Sequence, residues 1–449
     1  MSLHDQVQAQ IPSVLADLKE LVAIESVSAD AARTPEVERS ANHIVQLLTD
    51  LGCPDVRMVH TAEDEAPAVI GRFPAPEGKP TVCLYAHHDV QPEGDPAAWR
   101  TPPFVATEME GRLFGRGAAD DKGGLAVHLA ALRAFEGKPP VGVTVFVEGE
   151  EEVGSPTLPK LLEEHHKELA ADVFVIADSV NWAVGHPAFT TSLRGIAECI
   201  VELRTLDHGL HSGAYGGVVP DALTALCRLL ATLHDDQGNV AVAGLTTAAA
   251  PQQEYPAERL RSESGILDGV KWIGSGSIAE RLWCKPAISV IALDATTVAQ
   301  ASNTLLPAVR AKVSLRVAPG DDPSRALAAL IKHLQDHVPW GAQLTMVGGD
   351  TGDGSVVDFT GPYADAAYDA FRQAWGGIAP VFIGQGGTIP MVSDFGKAYP
   401  DATILITAVG DPDSRAHSTN ESLHLGDFSA ACLAETLMLD AFAQLDPKS

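Results

Sequence analysis

The sequence predicts an α/β protein: a mostly parallel, mixed sheet covered by helices, interrupted by an inserted ferredoxin-like α+β domain. Three observations carry this. Between residues 81 and 178 short apolar runs alternate with helical patterns, as in strand-helix-strand units. Several of the runs are apolar throughout, which is how strands buried on both faces read. The texture then changes at about Ser192 and returns to the first kind after about Val356. The expected division is a first α/β part at 1–190, an inserted domain at 191–356 and a second α/β part at 357–449.

The elements follow in order. Ile11, Val14, Leu15, Leu18, Leu21 and Val22 recur at helical spacing and predict an opening amphipathic helix, with a second around 44–51. Strand 81–87 (TVCLYAH), helix 124–135, strand 141–148 (VGVTVFVE), helix 158–169 and strand 171–178 (ADVFVIAD) come next. In the insertion, GIAECIVELRT alternates like a strand with one buried face, and a helix at 220–234 and a long polar stretch follow. Strands 287–295 and 306–318, a helix at 323–338 and strand 342–347 complete two β-α-β-like halves. A helix at 363–375, strands 379–384 and 402–409, and a helix at 428–444 return to the first texture.

The length of 449 residues suggests two or three domains with ample core. Lys and Arg number 31 against 59 Asp and Glu, a formal charge of −28 that repels phosphate backbones and anionic lipid. With no local basic patch, nucleic-acid and membrane partners are not expected. Cys53, Cys83, Cys199, Cys227, Cys284 and Cys432 are far apart, form no C-x-x-C pair and read as reduced core residues. The opening residues lack the pattern of a signal peptide and no apolar run approaches a membrane span, so the expected location is cytoplasmic.

Chemistry collects at the ends of the expected strands, where open α/β sheets bind ligands. Strand 81–87 runs into His87-His88-Asp89, and strand 141–148 into Glu148-Gly149-Glu150-Glu151-Glu152. Strand 171–178 ends in Asp178, and strand 402–409 leads through a turn to His417. Between the first two lies the glycine-bounded loop 115–124, which holds Asp120 and Asp121. Carboxylates converging on one spot repel unless cations sit among them, and imidazole with carboxylate is the donor set of zinc or a similar first-row metal. Two histidines and three acids suffice for two metals sharing one carboxylate. Asp89, two residues after His87, suits a carboxylate that holds the ring and fixes its tautomer. Of Glu151 and Glu152, one can bind metal while the other faces the activated water as general base. Taken singly each motif is a weak signal, since Glu-rich runs are usually solvated loops; their joint placement changes that weighing. His88, His165 and His166 read as structural.

With these residues in view the chain resembles the dinuclear zinc metallopeptidases that include carnosinase, cytosolic non-specific dipeptidase and the deacetylases and desuccinylases of amino-acid biosynthesis. The motifs are YAHHDVQP (85–92), LFGRGAADDKGG (113–124), EGEEEVGS (148–155), HSGAYGG (211–217), GGTIP (386–390) and AHSTNE (416–421). The resemblance implies a zinc-exopeptidase-like fold, two divalent ions per chain, most simply zinc with manganese or cobalt as alternatives, and a homodimer. It implies that His87 and Asp178 hold one ion, Glu152 and His417 the other, and that Asp120 bridges them. Asp89 would support His87, Glu151 would be the general base acting on a metal-bound water, and a cis peptide would follow Asp120. The three adjacent glutamates admit a second register, with Glu150 as base and Glu151 as ligand; alignment on Val153-Gly154-Ser155 favours the first.

In the insertion, His211 matches the family's histidine that stabilises the oxyanion, usually in the partner subunit's site, whereas His208 reads as a turn residue. Thr304 and Arg316 lie on one segment, and an arginine in a half-buried strand needs an anion, either a structural carboxylate or a substrate carboxylate. The resemblance implies the second. Thr388, in a glycine-rich turn, could add a hydroxyl or help present backbone donors.

The dinucleotide-binding fingerprint is absent, because Gly115-Arg116-Gly117 is followed by Asp120 where a third glycine belongs. No G-x-S-x-G elbow is present. The expectation is metal-dependent hydrolysis of dipeptides or other very short peptides with a free C-terminal carboxylate. A deacylase of N-acyl amino acids is the alternative within the hydrolases, and a non-catalytic binding relative the alternative outside them.

Overall fold

The structure, a computed structural model, describes residues 1–62 and 65–447 and divides into two units. The first comprises Met1–Thr191, Val357–Ile383 and Pro390–Ser449; the second comprises Ser192–Val356 and Gly384–Ile389. The short stretch 384–389, which the sequence places in the second α/β part, groups with the second unit. Its Arg194 N–H donates to Gln385 O at 3.2 Å, which ties the stretch to the start of that unit.

In the first unit a mixed sheet runs in the order Asp55–Val59, Ala68–Phe73, Gly142–Glu148, Thr81–His87, Val173–Ile176, Thr403–Ile406 and Ala188–Leu193. The four strands 142–148, 81–87, 173–176 and 403–406 are parallel, and antiparallel strands flank them. Strand 142–148 is buried along its whole length, as its unbroken apolar run requires. The register pairs His87 with Glu148 and Tyr85 with Ile176, so the carboxyl ends of three parallel strands finish at one level. The expected strand 171–178 is only Val173–Ile176; Ala177 still donates to Tyr85 O, but Asp178 has left the ladder.

Helices Leu3–Val22, Lys122–Ala134, Pro362–Ala374 and Leu425–Phe442 share the core with one sheet face, where Val82, Leu84 and Ala86 are fully buried. The first helix opens with a capping box in which Ser2 and Asp5 exchange two 3.2 Å hydrogen bonds. Tyr85, Phe146, Phe174 and Phe395 pack edge and face with centroids 4.5 to 6.2 Å apart. The expected helix 158–169 is broken at His165 into Leu158–Glu164 and His166–Leu169.

In the second unit four antiparallel strands run in the order Ala287–Asp294, Ala308–Val317, Gly195–Arg204 and Gln343–Gly352. With helices Ala222–Ala231 and Pro323–Asp336 this is the ferredoxin-like arrangement. Strand 195–204 alternates buried and half-buried residues, and its inward Ala197, Cys199, Val201 and Leu203 join Val313, Leu226 and Leu330 in a second core. All six cysteines are free, but Cys227 is exposed rather than in the core. It sits on helix 222–231, off the stripe formed by Ala222, Ala225, Leu226 and Leu229.

Candidate metal centre

His87 closes strand 81–87 and is fully buried. Its Nδ1 lies 3.1 Å from the main-chain oxygen of Asp89 and 3.4 Å from the Asp89 carboxylate. Nε2 lies 3.1 Å from Asp120 Oδ1, so oxygen acceptors face both ring nitrogens; with an ion in place the Nδ1 contacts would keep the proton there and leave Nε2 to ligate. The other oxygen of Asp120 lies 3.0 Å from His417 Nε2, which is also 3.2 Å from Glu152 Oε2. Glu151 and Asp178 gather with His87, so the residues form two triads: His87, Glu151 and Asp178, and Asp120, Glu152 and His417. One carboxylate thus faces both histidines.

The glutamate run is sorted by its partners. Glu148 accepts from Tyr85 and from Ser155 Oγ at 2.9 Å, and Glu150 turns away to accept from the hydroxyl of Thr157 and from its N–H at 2.7 Å. Asp89 accepts from the N–H groups of Glu151 and Glu152 at 3.2 and 3.1 Å, which fixes the turn carrying both. Gln91 holds Glu152 through its backbone N–H at 3.1 Å and its side-chain amide at 2.8 Å. Gly149 permits this approach, since a Cβ there would meet Pro67 O at 2.6 Å and His88 Nε2 at 2.7 Å. His88 is a buried structural residue that donates to Pro67 O at 2.9 Å, and burial pushes its pKa down to about 4.

The electrostatics show a site short of positive charge. Burial pushes Asp178 up to about 7, and burial followed by the Asp178 charge raises Glu151 well above the usual carboxylate range. Burial disfavours the His87 cation, but Asp120, Asp89 and Asp178 together lift the imidazole well above its ordinary value. His417 is raised to about 11, first by Asp120 and then by Glu152. Among the described residues no Lys or Arg pairs with Asp120, Glu151, Glu152 or Asp178; Lys122 beside them turns its Nζ to Leu21 O and Ile24 O, both at 2.8 Å. Buried acids without a cation, mixed with imidazole nitrogen, fit divalent ions of the zinc class.

Residues that the sequence reading left without a role hold Asp120 in place. Glu421, fully buried, accepts from Arg116 Nη1 at 2.6 Å and from the N–H groups of Gly117, Ala119 and Asp120 at 3.0, 3.0 and 3.1 Å. Asp121 accepts from the His87 N–H at 3.3 Å, and the Asp120–Asp121 peptide is cis. A Cβ at Gly124 would meet Asp121 Oδ1 at 2.1 Å and Ala177 O at 2.8 Å, so the Gly123-Gly124 pair lets the helix start close to the sheet. The motif letters of Glu421 and Asp121 were visible, but nothing in the sequence pairs them with their partners. His417 adopts φ 61°, and its side chain is 59% exposed.

The remaining candidates lie in the second unit. His211 is exposed and caps a short turn, its Nδ1 accepting from the N–H groups of Gly213 and Ala214 at 3.1 and 3.3 Å. The proton therefore resides on Nε2, which is free to donate. Thr304 pairs with His211 across two short strands. Arg316 is half-buried and, among the described residues, has no ion pair or hydrogen bond; Thr388 is half-buried in the 386–389 turn. His208 is exposed beside Asp207.

A mixed, helix-covered sheet with an inserted ferredoxin-like unit and an imidazole–carboxylate cluster at its strand ends defines a metallohydrolase of the zinc-exopeptidase fold. The chain belongs to peptidase family M20/M25/M40, whose profile matches residues 83–440. It is 32% identical over 432 residues to the cysteinylglycine-S-conjugate dipeptidase of Corynebacterium striatum, covering 95% of this chain and 94% of that one. The solved structure of the dipeptidase Dug1p from Saccharomyces cerevisiae superposes with a TM-score of 0.83 at 25% identity, covering 99% of this chain and 98% of that one. Human carnosine dipeptidase 1 gives 0.79 at 26% identity, with 99% of each chain covered. No described helix is long and apolar enough to cross a membrane.

Proposed function

We propose that the protein hydrolyses the peptide bond of dipeptides and other very short peptides with a free C-terminal carboxylate, as a dinuclear metallopeptidase. His87 and Asp178 would hold one divalent ion and Glu152 and His417 the other, with Asp120 serving both. Zinc suits this donor set, and manganese or cobalt are alternatives. The observation that supports the reading most is the split contact of Asp120, one oxygen 3.1 Å from His87 and the other 3.0 Å from His417. When bound, such ions lower the pKa of water to about 7 and polarise a carbonyl oxygen.

The chain's own residues do the rest. Glu151 takes a proton from the attacking water and passes it to the leaving amine nitrogen; burial and then the Asp178 charge raise its pKa above the usual carboxylate range, which makes it a stronger base. Asp89 keeps the His87 proton on Nδ1. From the second unit, His211 donates from Nε2 to the developing oxyanion, and Arg316 binds the substrate carboxylate with Thr304 and Thr388 supplying further polar contacts. That unit also supplies the contact of a homodimer in which His211 serves the partner's site, and the enzyme works in the cytoplasm.

The test is hydrolysis of a panel of dipeptides, their C-terminal amides and N-acyl amino acids, before and after metal removal. Charge-assisted hydrogen bonds contribute roughly 1.5 to 3 kcal/mol, so amidation should cost about tenfold or more in kcat/KM. Arg316→Ala should impose a similar loss on the free acid and almost none on the amide. Equal rates for acid and amide, internal cleavage of long peptides, or turnover confined to N-acyl amino acids would overturn the reading.

A further inference from the structure

The second unit contains a cavity of about 530 Å³ whose walls come from the long polar stretch and the start of strand 287–294. Leu260, Trp272, Ile273, Ile278, Leu282 and Ile288 give it a mainly apolar wall. Its charged lining is wholly cationic: Arg194, Arg281 and Lys285, with no Asp or Glu, in a chain of net charge −28. Two of these cations have used donors on carbonyls, Arg281 Nη1 on Ile273 O at 2.9 Å and Lys285 Nζ on Ser275 O at 2.7 Å. Arg194 has not. Its Nε is buried without a partner, and its Nη1 reaches Arg281 O and Lys285 O only at 3.5 Å.

Arg194 also connects the cavity to the proposed carboxylate anchor. A Cβ on Gly386, in the turn that carries Thr388, would lie 2.7 Å from Arg194 Nη2. Arg316 sits directly across the ladder from Ala287, which lines the cavity. Cross-strand neighbours have Cβ atoms about 5 Å apart. A carboxylate held by Arg316 is therefore bound on the strand next to the one that lines the cavity.

We propose that this cavity is the subsite for the side chain of the substrate's C-terminal residue, and that it selects bulky apolar side chains while Arg194, Arg281 and Lys285 repel basic ones. This rests on the dipeptidase reading and on Arg316 as the carboxylate contact. The volume exceeds that of any natural side chain and falls in the range of ligand pockets, so size excludes nothing; charge does the selecting. Glu280 offsets part of the charge of Arg281 and Lys285, but a lysine or arginine side chain entering a partly desolvated site beside Arg194 should still lose at least about tenfold in kcat/KM relative to phenylalanine.

The experiment compares alanyl-phenylalanine, alanyl-glycine and alanyl-lysine on the metal-loaded full-length protein. The wild type should prefer them in that order. Ala287→Phe, which adds bulk to the cavity lining, should lower the phenylalanine-to-glycine ratio of kcat/KM at least tenfold. Arg194→Met should raise the lysine-to-phenylalanine ratio at least tenfold, and Arg194→Lys, which restores the charge, should bring it back. Thermal melts check folding, and Ala287→Phe carries the test if Arg194→Met does not fold. If no dipeptide is cleaved, the dipeptidase reading falls and the subsite with it. Cleavage of all three with ratios unchanged by Ala287→Phe and Arg194→Met overturns the subsite alone.

Discussion

Glu421→Gln removes one charge from the most heavily used buried carboxylate around Asp120. The native side chain satisfies Arg116 at 2.6 Å and three successive loop N–H groups at 3.0 to 3.1 Å, with no exposed surface. The amide keeps the shape and one acceptor oxygen, but its NH₂ faces donors, and the Arg116 guanidinium, 2% exposed, keeps its charge without a counterion. Removing one partner of a buried pair costs about 3 to 5 kcal/mol, and the three N–H bonds overlap with that figure rather than add to it. At about 2 °C per kcal/mol for a large domain, the melting temperature should fall by about 6 to 10 °C. Melts run in chelator separate this from stabilisation by bound metal. Elemental analysis of the reloaded protein should then show reduced metal content, because the Asp120 backbone has lost its tether. The exposed pair Lys19–Glu108 at 2.6 Å is the control, and Glu108→Gln should move the melt by no more than about 1 to 2 °C. A Glu421→Gln protein that melts within about 2 °C of wild type, or that is destabilised yet fully metallated, would refute the assignment of Glu421 as the residue that positions Asp120.

Three further outcomes are expected. Glu151→Gln should retain both metals by elemental analysis and lose turnover by roughly 10² to 10⁴, the usual weight of general base catalysis, whereas Glu150→Gln should turn over near normally; the reverse pattern would assign the base to Glu150. Asp120→Ala should lower occupancy of both metal positions, and full double occupancy would remove it as the bridge. A mixture of His211→Ala and Glu151→Gln proteins, dissociated and reassembled, should recover activity in heterodimers that hold one intact site. No recovery after demonstrated subunit exchange would place His211 in its own chain's site or outside the chemistry.

The parts of the fold legible in the sequence are those whose burial leaves a periodic trace. Strand 142–148 is apolar at successive positions because both faces are covered, and strand 195–204 alternates because one face is. Strands 55–59 and 68–73 leave no such trace: Arg57, Gly71 and Arg72 break both patterns, and antiparallel pairing at the sheet's end holds the strands. Gly71 is there for closeness, since a Cβ would meet Leu48 Cδ1 at 2.9 Å. The stretch 235–286 has little regular structure beyond helix Ala257–Ser264 and the turn Glu280–Cys284, so no period existed to find. Its folding into a cavity wall depends on contacts distant in sequence.

The same distinction explains why ligand candidates were visible and their supports were not. A residue at the end of an apolar run announces its place, because the run fixes the strand and the strand fixes its last side chain. His128 and Glu435 carry no such mark, since neither ends an apolar strand run. The structure buries both, with His128 Nδ1 2.8 Å from Glu435 and Nε2 2.9 Å from Tyr85 O, two residues before His87. Burial disfavours the His128 cation, but the neighbouring Glu435 raises the imidazole above its ordinary value, and the pair joins two helices to the strand. Lys122 likewise looks like a helix-surface lysine, yet its Nζ ends on two carbonyls of the first helix's C-terminal turn and the residues just after it, in a fully buried position. Such polar supports stabilise one geometry only when every partner is in place, which is why they cannot be read from one side of the contact. The strand pattern placed the candidate ligands near one another, while the orientation of Asp120 between two histidines depends on Glu421, Arg116 and Asp121.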